Sequence, residues 1–309
     1  MYKRQTLHRV TVTGLEKNTT YFYRVLSQEV KELLPYRPVL GNIVSTDIWK
    51  KPLTFITLDG RQETLSMVMI NDIHAKNDLQ KKLLEMAPPQ DVDMVVFCGD
   101  MCNYINKQSD IFTGFLDTSV GLFASRKPFV YVRGNHETRG AYARNFFRYL
   151  AGPEGKFYYA FTYGPIRFVV LDSGEDKPDT DVEYSGLVDF DNYILEQKEW
   201  LARELESPEF RAASFRVVLS HIPFGKGGWY GSERLRKHLL PLLESVRIDL
   251  MLSGHNHAFG FMDKGKVTAF PIIVNSNNSV LTMFGSEDLL KVQVKQIDGK
   301  VLLEKEFSK

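Results

Sequence analysis

Cysteine is almost missing from this chain: Cys98 and Cys102 are the only two among 309 residues. Two thiols cannot build the multi-bridge framework of a small secreted domain. Cys98 ends the apolar run DMVVFC and Cys102 lies in the loop after it. A free, buried Cys98 is expected, with a Cys98–Cys102 pair as the alternative, so the redox compartment stays open. Long apolar runs are missing too, since none approaches the roughly 18 residues of a membrane-spanning helix. Nor is there an excess of one charge: 39 Lys and Arg face 38 Asp and Glu, a net of +1. That balance calls for neither nucleic acid nor an anionic membrane as a partner. With 13 Pro and 22 Gly, collagen-like and disordered classes are excluded. The opening residues MYKRQTLHRV hold no apolar h-region, so no signal peptide is seen in them. A length of 309 residues that are 43% apolar and 25% charged allows one large core or two modest ones.

The first sixty residues read differently from the rest. HRVTVTGL (His8–Leu15) and YFYRVLS alternate apolar and polar residues across the polar turn EKNTT, which predicts an antiparallel pair. PLTFITL (Pro52–Leu58) reads as a third strand. Three strands bury little by themselves, so residues 1–60 are expected to be the closing part of a β-sandwich, and the 309 residues a fragment of a longer chain. Across 61–309, short apolar runs alternate with helical stretches. LSMVMI, DMVVFC, PFVYVR, IRFVVLD, FRVVLSH and IDLMLSG read as strands. Helices are predicted over Asn77–Met86, Ile111–Ala124, Tyr142–Leu150, ILEQKEWLARELE and Glu233–Ser245. Such alternation is that of an α/β fold with a buried, largely parallel sheet. VTAFPIIVN, SVLTMF, LLKVQVKQI and KVLLEKEF then form an antiparallel end.

Five of the seven histidines fall just after these strands, beside Asp, Asn or Gly. The groups are Asp72 and His74 in NDIH, Asp100 in GD, Asn135 and His136 in GNHE, His221, and His255 and His257 in GHNH. Open α/β sheets bind ligands at the carboxyl ends of their strands. Asp-x-His and His-x-His on an extended backbone put both side chains on one side. Glycines before Asp100, Asn135 and His255 allow a sharp turn and a close approach to an ion. Carboxylates with imidazoles suit Zn, Fe or Mn rather than Ca. There are too many ligands for one tetrahedral ion, so two ions sharing a carboxylate are expected.

The ordered set D-x-H, G-D, G-N-H-E, H, G-H-x-H, spanning Leu65 to His257, resembles that of the calcineurin-like metallophosphoesterases. That resemblance implies a four-layer α/β/β/α sandwich as the catalytic domain. It implies one metal on Asp72, His74 and His257, a second on Asn135, His221 and His255, and Asp100 bridging both. His136 matches the catalytic residue that contacts the phosphate and assists the leaving group, and a metal-bridging hydroxide is the implied nucleophile. Only Asp72 and Asp100 bring negative charge against roughly four positives from two divalent ions, so the site favours a phosphate anion. A looser resemblance links HRVTVTGLEKNTTYFYRV to the fibronectin type III-like domain that precedes the catalytic domain in purple acid phosphatase relatives. YSGLVDFDNYILEQKEWL is similar to the stretch between metal blocks in that branch. Relatives with this domain order are commonly exported, which implies an extracytoplasmic location. The expected function is phosphomonoester hydrolysis with a phosphoester substrate as partner. A phosphodiesterase is the alternative, and a non-catalytic scaffold a third reading that the intact ligand set opposes.

Lesser features take blander readings. Glu137 either braces a ligand or forms a plain salt bridge, and Arg139 is a minor candidate for phosphate contact. The loop GKGGWYGS (Gly225–Ser232) is either a substrate wall or an ordinary surface loop. Leu195, Trp200, Leu201 and Leu205 are expected in the core, and His8 and His238 are structural or surface residues. Two departures from true purple acid phosphatases bear on the metals. His74 stands where they have Gly, and Asn103 where they have a Tyr ligand, with Tyr104 one residue late. His74 is expected to replace that Tyr. Loaded with iron, the protein is therefore predicted to show no tyrosinate-to-iron charge-transfer band in its visible absorption spectrum.

Overall fold

The computed structural model describes residues 7–47, 49–58, 60, 62–225 and 228–309. The chain divides into two compact units, Met1–Arg61 and Gln62–Lys309. Among the described residues no helix is long and apolar enough to cross a membrane.

The first unit holds β1 (Thr20–Tyr23), β2 (Leu26–Glu32), β3 (Val39–Ser45) and β4 (Leu53–Ile56). β1 pairs antiparallel with β4, and β2 with β3. Aromatic contacts close the first ladder, with Phe55 5.7 Å from Tyr21 and 6.0 Å from Tyr23 between ring centroids. The strand expected over His8–Leu15 is not formed. Alternation marks a face but does not supply a partner edge. The β2–β3 hairpin was not legible as such, because its Pro35–Pro38 turn sits between runs without clean alternation.

The second unit is built on two six-stranded sheets. Its strands are β5 (Leu65–Ile70), β6 (Met94–Cys98), β7 (Phe129–Val132), β8 (Tyr159–Tyr163), β9 (Ile166–Leu171), β10 (Phe215–Ser220), β11 (Leu250–Ser253), β12 (Gly260–Met262), β13 (Ile272–Val274), β14 (Ser279–Gly285), β15 (Leu289–Gln296) and β16 (Val301–Ser308). One sheet runs β16-β15-β14-β5-β6-β7 and the other β12-β13-β11-β10-β9-β8. β5, β6 and β7 are parallel, as are β9, β10, β11 and β13. The remaining pairings are antiparallel, including the edges β8 and β12, which the sequence reading did not anticipate.

Side-chain alternation explains the layers. Leu65, Met67 and Met69 of β5 meet Ile166, Phe168 and Val170 of β9 in a core between the sheets. Val68 and Ile70 point the other way, onto Leu83 and Leu84 of the helix Asn77–Met86. Val169 and Leu171 pack under the helix Phe190–Leu205 through Ile194 and Leu201. The result is the four-layer α/β/β/α sandwich that the family resemblance implies, with the strands divided between two sheets where the residue pattern alone reads as one largely parallel sheet. A strand with a sheet on one face and a helix on the other is as apolar throughout as one between two helix layers, so the run alone cannot tell them apart.

Several details also differ from expectation: β13, read with the antiparallel end, pairs parallel with β11, and the helix predicted over Tyr142–Leu150 is a 3-10 turn, Ala143–Asn145, followed by the short helix Phe147–Leu150. The helix predicted over Glu233–Ser245 is two helices, Tyr230–His238 and Leu240–Glu244, with Pro241 early in the second, where its missing N–H costs least. In Phe190–Leu205 the buried face is Ile194, Gln197, Leu201 and Leu205. Leu195 is exposed, and Trp200 is half-buried against Tyr158. Cys98 and Cys102 are free and buried. Phe97 lies fully buried among Phe115, Phe123 and Phe129, at 5.4 to 6.0 Å between centroids. Phe97→Ala is expected to destabilise this unit by about 3–5 kcal/mol, read as a lowered urea midpoint.

Candidate metal centre

All five sequence blocks sit at the carboxyl ends of parallel strands: Asp72 and His74 after β5, Asp100 after β6, Asn135 and His136 after β7, His221 after β10, His255 and His257 after β11. The two sheets therefore bring their ligand-bearing loops to a common end of the sandwich. The loops do not stay extended, as the Asp-x-His spacing had suggested. Asp72, His74, Ala75, Asp100, His255 and His257 all adopt left-handed φ, between +50° and +73°. This conformation costs an L-residue about 1–2 kcal/mol each, and such outliers gather where function demands them. A backbone ladder holds the first two loops in it: Asp72 N–H donates to the Gly99 carbonyl (3.0 Å), His74 N–H to Asp100 (2.9 Å) and Ala75 N–H to Met101 (2.8 Å).

The glycines turn out to do different jobs. Gly99 has φ +82° and supplies the turn. Gly134 and Gly254 are needed because a ligand already fills the space of a Cβ. A methyl on Gly134 would strike the Asp100 carboxylate, and one on Gly254 would lie 2.8 Å from Asp72 Oδ2.

Each ligand is aimed by a neighbour. Asp72 Oδ2 accepts from Asn71 Nδ2 (2.6 Å) and from the His255 N–H (2.9 Å), leaving Oδ1 facing inward. Asn71 is in turn fixed by Asn275, whose Nδ2 donates to Asn71 Oδ1 (2.8 Å). Asp100 Oδ1 accepts from the His136 N–H (3.0 Å), so Oδ2 is left to the imidazoles. His221 Nδ1 lies 2.7 Å from the Cys98 carbonyl, which can only accept, so Nδ1 carries the proton and Nε2 faces Asp100 Oδ2 at 3.2 Å. Such an arrangement fixes a metal-binding tautomer. Glu137 is buried and forms no salt bridge among the described residues; its carboxylate accepts from the N–H groups of Asp100, Cys102 and Gly134, each at 2.9 Å. It thereby ties the β6 loop to the β7 loop. Of the two readings of Glu137, the brace and not the salt bridge is the one found, whereas the Asn71–Asn275 pair had no signal in the sequence, where two separated Asn carry no pattern.

Two nests of donor atoms result, Asp72 with His74 and His257, and Asp100 with His221 and His255, and a third group, His74 with Asp100 and His136, overlaps both. Asp72 Oδ1, Asn135 Oδ1, His221 Nε2 and His255 Nε2 are buried without a hydrogen-bond partner. His74 Nε2 and His257 Nε2 face each other at 3.1 Å, and His257 Nε2 stands 3.2 Å from Asp72 Oδ1. Buried lone pairs converging without donors are what a cation satisfies, so the residues fit two transition-metal ions. Asn103 does not enter this cluster: its side chain donates to the His74 carbonyl (3.2 Å), and Tyr104 is exposed. His74 does enter it.

A cavity of about 610 Å³ opens over the cluster, lined by Asp100, Asn135, His136, His255, His257 and Trp229 among others. Trp229 stands edge-on to His255, 5.3 Å between centroids. It gives the loop Gly225–Ser232 a place in the wall, while Lys226 and Gly227 lie outside the described residues.

Electrostatics show how metal-free ligands compensate one another. Burial alone would lower His221, but Asp100 and Asp72 outweigh it and raise its imidazole to about 10. Burial would raise Asp100, and His221 instead holds it well below the usual carboxylate range. His255 is pushed down to about 4 by burial and by His221.

An α/β/β/α sandwich with two donor nests at converging strand ends defines the class of a dinuclear metal-centre protein. Residues 65–259 match the family described as calcineurin-like phosphoesterase, and the chain belongs to that family. It is similar to purple acid phosphatase 22 of Arabidopsis thaliana, 24% identical over 278 residues that cover 84% of this chain and 54% of that protein. The purple acid phosphatase of Glycine max is 24% identical over 302 residues, covering 88% of this chain and 56% of its own length. The chain thus spans little more than half the length of these relatives. Among solved structures, a dimetal phosphatase from Danio rerio shares the fold with a TM-score of 0.58 and 16% identity, covering 79% of this chain and 98% of its own.

With His221 raised above the ordinary imidazole range by Asp100 and Asp72, an ion held by it would displace a proton, and metal affinity is expected to rise with pH through the neutral range, roughly tenfold per unit for one released proton. Titration calorimetry with Mn²⁺ or Zn²⁺ in buffers of different ionisation enthalpy reads this directly. A flat pH dependence contradicts it.

Proposed function

We propose that this chain is a dimetal phosphoester hydrolase acting on phosphomonoesters. The observation that carries the reading is the set of buried polar atoms of Asp72, Asn135, His221 and His255 without hydrogen-bond partners, arranged around Asp100 beneath an open cleft. In this reading Asp72, His74 and His257 hold one ion and Asn135, His221 and His255 the other, with Asp100 shared. When bound, the two ions supply an activated water and neutralise phosphoryl charge; Fe, Zn and Mn all suit the donors. Family membership and the similarity to purple acid phosphatases support the reaction class.

The remaining work falls to the protein. Asp100 is held by the His136 N–H and, through its own N–H, by Glu137, so the shared carboxylate is oriented before substrate arrives. His136 donates Nδ1–H to the Asn103 carbonyl at 2.8 Å, which turns Nε2 into the cleft, 3.9 Å from Asp100 Oδ2. There it meets the phosphoryl group or the leaving oxygen. Trp229 forms an apolar wall for the ester group. We extend the proposal to an extracytoplasmic location, supported by the resemblance to exported purple acid phosphatases, and to residues 1–60 as part of a fibronectin type III-like sandwich.

The test is elemental analysis on the sample used for p-nitrophenyl phosphate and bis-p-nitrophenyl phosphate hydrolysis. About two ions per chain and monoester turnover are expected, with His136→Ala lowering kcat by about 10²–10⁴-fold. Preference for the diester would assign the diesterase activity instead, and a metal-replete chain inert to both would refute hydrolysis.

A further inference from the structure

Next to the cleft lies a buried carboxylate that the reaction as described leaves without a task. Glu175, 1% exposed, sits in the loop after β9, on the opposite sheet from His136. Four side-chain donors converge on it, beside the Asp176 N–H. Arg139 gives it two parallel bonds, Nε to Oε1 at 3.0 Å and Nη2 to Oε2 at 2.9 Å; Tyr184 donates to Oε2 at 2.8 Å, and Thr138 donates to Oε1. Arg139 Nη2 also reaches Asp176 Oδ1 at 3.1 Å. With the fork filled on that side by two carboxylates, only Nη1 is turned toward the cleft, and it lies 3.3 Å from His136 Nε2. The His136 ring is thus held at both nitrogens, by the Asn103 carbonyl and by Arg139.

We infer that Arg139, clamped by Glu175, is a positioning residue that fixes the His136 ring in the cleft, and is not a ligand of the substrate phosphate. The inference rests on the hydrolase reading above. A guanidinium recognises an anion through its planar fork, and here the fork is already spent on Glu175 and Asp176. The 3.3 Å contact to Nε2 is long, so Nε2 can take up a proton from water and turn it to an entering phosphoryl oxygen without disturbing the clamp. Glu175 arrives from the second sheet, so the clamp also sets the separation of the β7 and β9 loops across the site. Misplacing a reacting group by about an ångström costs on the order of 10²-fold in rate, which sets the scale of the effect.

The metal-loaded chain tests this with Arg139→Met, Arg139→Lys, Glu175→Gln and His136→Ala. Arg139→Met and Glu175→Gln are each expected to lower kcat on p-nitrophenyl phosphate by roughly 10–100-fold with KM changed less than about twofold. Arg139→Lys, which keeps the charge but lacks the fork, is expected to fall with Arg139→Met; rescue by Lys would show that charge alone matters and overturn the inference. In a His136→Ala background Arg139→Met is expected to cost less than about twofold more, because its effect passes through that ring. Calorimetric binding of inorganic phosphate is expected to stay within about twofold in Arg139→Met, and a weakening of about tenfold or more would make Arg139 a phosphate ligand and end the inference. The ¹⁵N resonances of the His136 imidazole, read without substrate, are expected to move in Arg139→Met. An inert wild type would refute the hydrolase reading, while these resonances still decide whether Arg139 holds the ring. If Arg139→Met fails to fold because Glu175 is left buried without its cation, Arg139→Met/Glu175→Gln removes both charges and gives the same readouts.

Discussion

Asp100 stands where the loops after β5, β6, β7 and β10 meet, and much of the site is organised by the demands of this one carboxylate. Its backbone takes a left-handed turn, its N–H is held by Glu137, its Oδ1 accepts from His136, and its Oδ2 faces His221. Gly134 lacks a side chain because the carboxylate occupies the space. A buried charge of this kind persists only when its surroundings compensate it. Here compensation comes from imidazoles that must themselves converge, and so the loops of two different sheets are drawn to a common point.

Around that point the buried polar groups fall into two kinds. Asn71, Asn275, Glu137 and Glu175 are satisfied by two to four partners and behave as brackets, joining loops that are distant in sequence. Asp72 Oδ1, Asn135 Oδ1, His221 Nε2 and His255 Nε2 have none. Fully bonded polar networks rigidify a protein, and unpaired buried atoms are costly. A site in which the first kind holds the second in place suits cations, since the brackets fix the strained turns and aim the unpartnered polar atoms at a common centre. The layered sandwich makes this affordable: its inter-sheet core and two helix-covered faces are apolar and tightly closed.

The strands from Leu65 onward and the helix Asn77–Met86 were legible because their apolar periods are strong and their ends are marked by Gly, Asp and Asn. The ligand blocks were legible for the same reason, as chemistry placed at strand ends. The His8–Leu15 strand was misread, and the β2–β3 hairpin missed, because pairing depends on an available edge that no local pattern records. The short edges β8 and β12 were missed because three to five residues give too little period to read. Leu195 was placed inside by spacing alone, although the helix turns it outward and buries Ile194 in its stead.

By itself the sequence determined which ligand types are present, their order, and that they cluster at the carboxyl ends of strands. Residue type and strand ends are local properties. Tertiary structure decided how the strands divide between the two sheets, that six residues of the candidate ligand loops are left-handed, and that Glu137 braces backbone and not a cation. It also decided that Arg139 turns to Glu175, thirty-six residues away. Those outcomes depend on which groups packing brings within hydrogen-bond reach, and chain spacing carries no record of that.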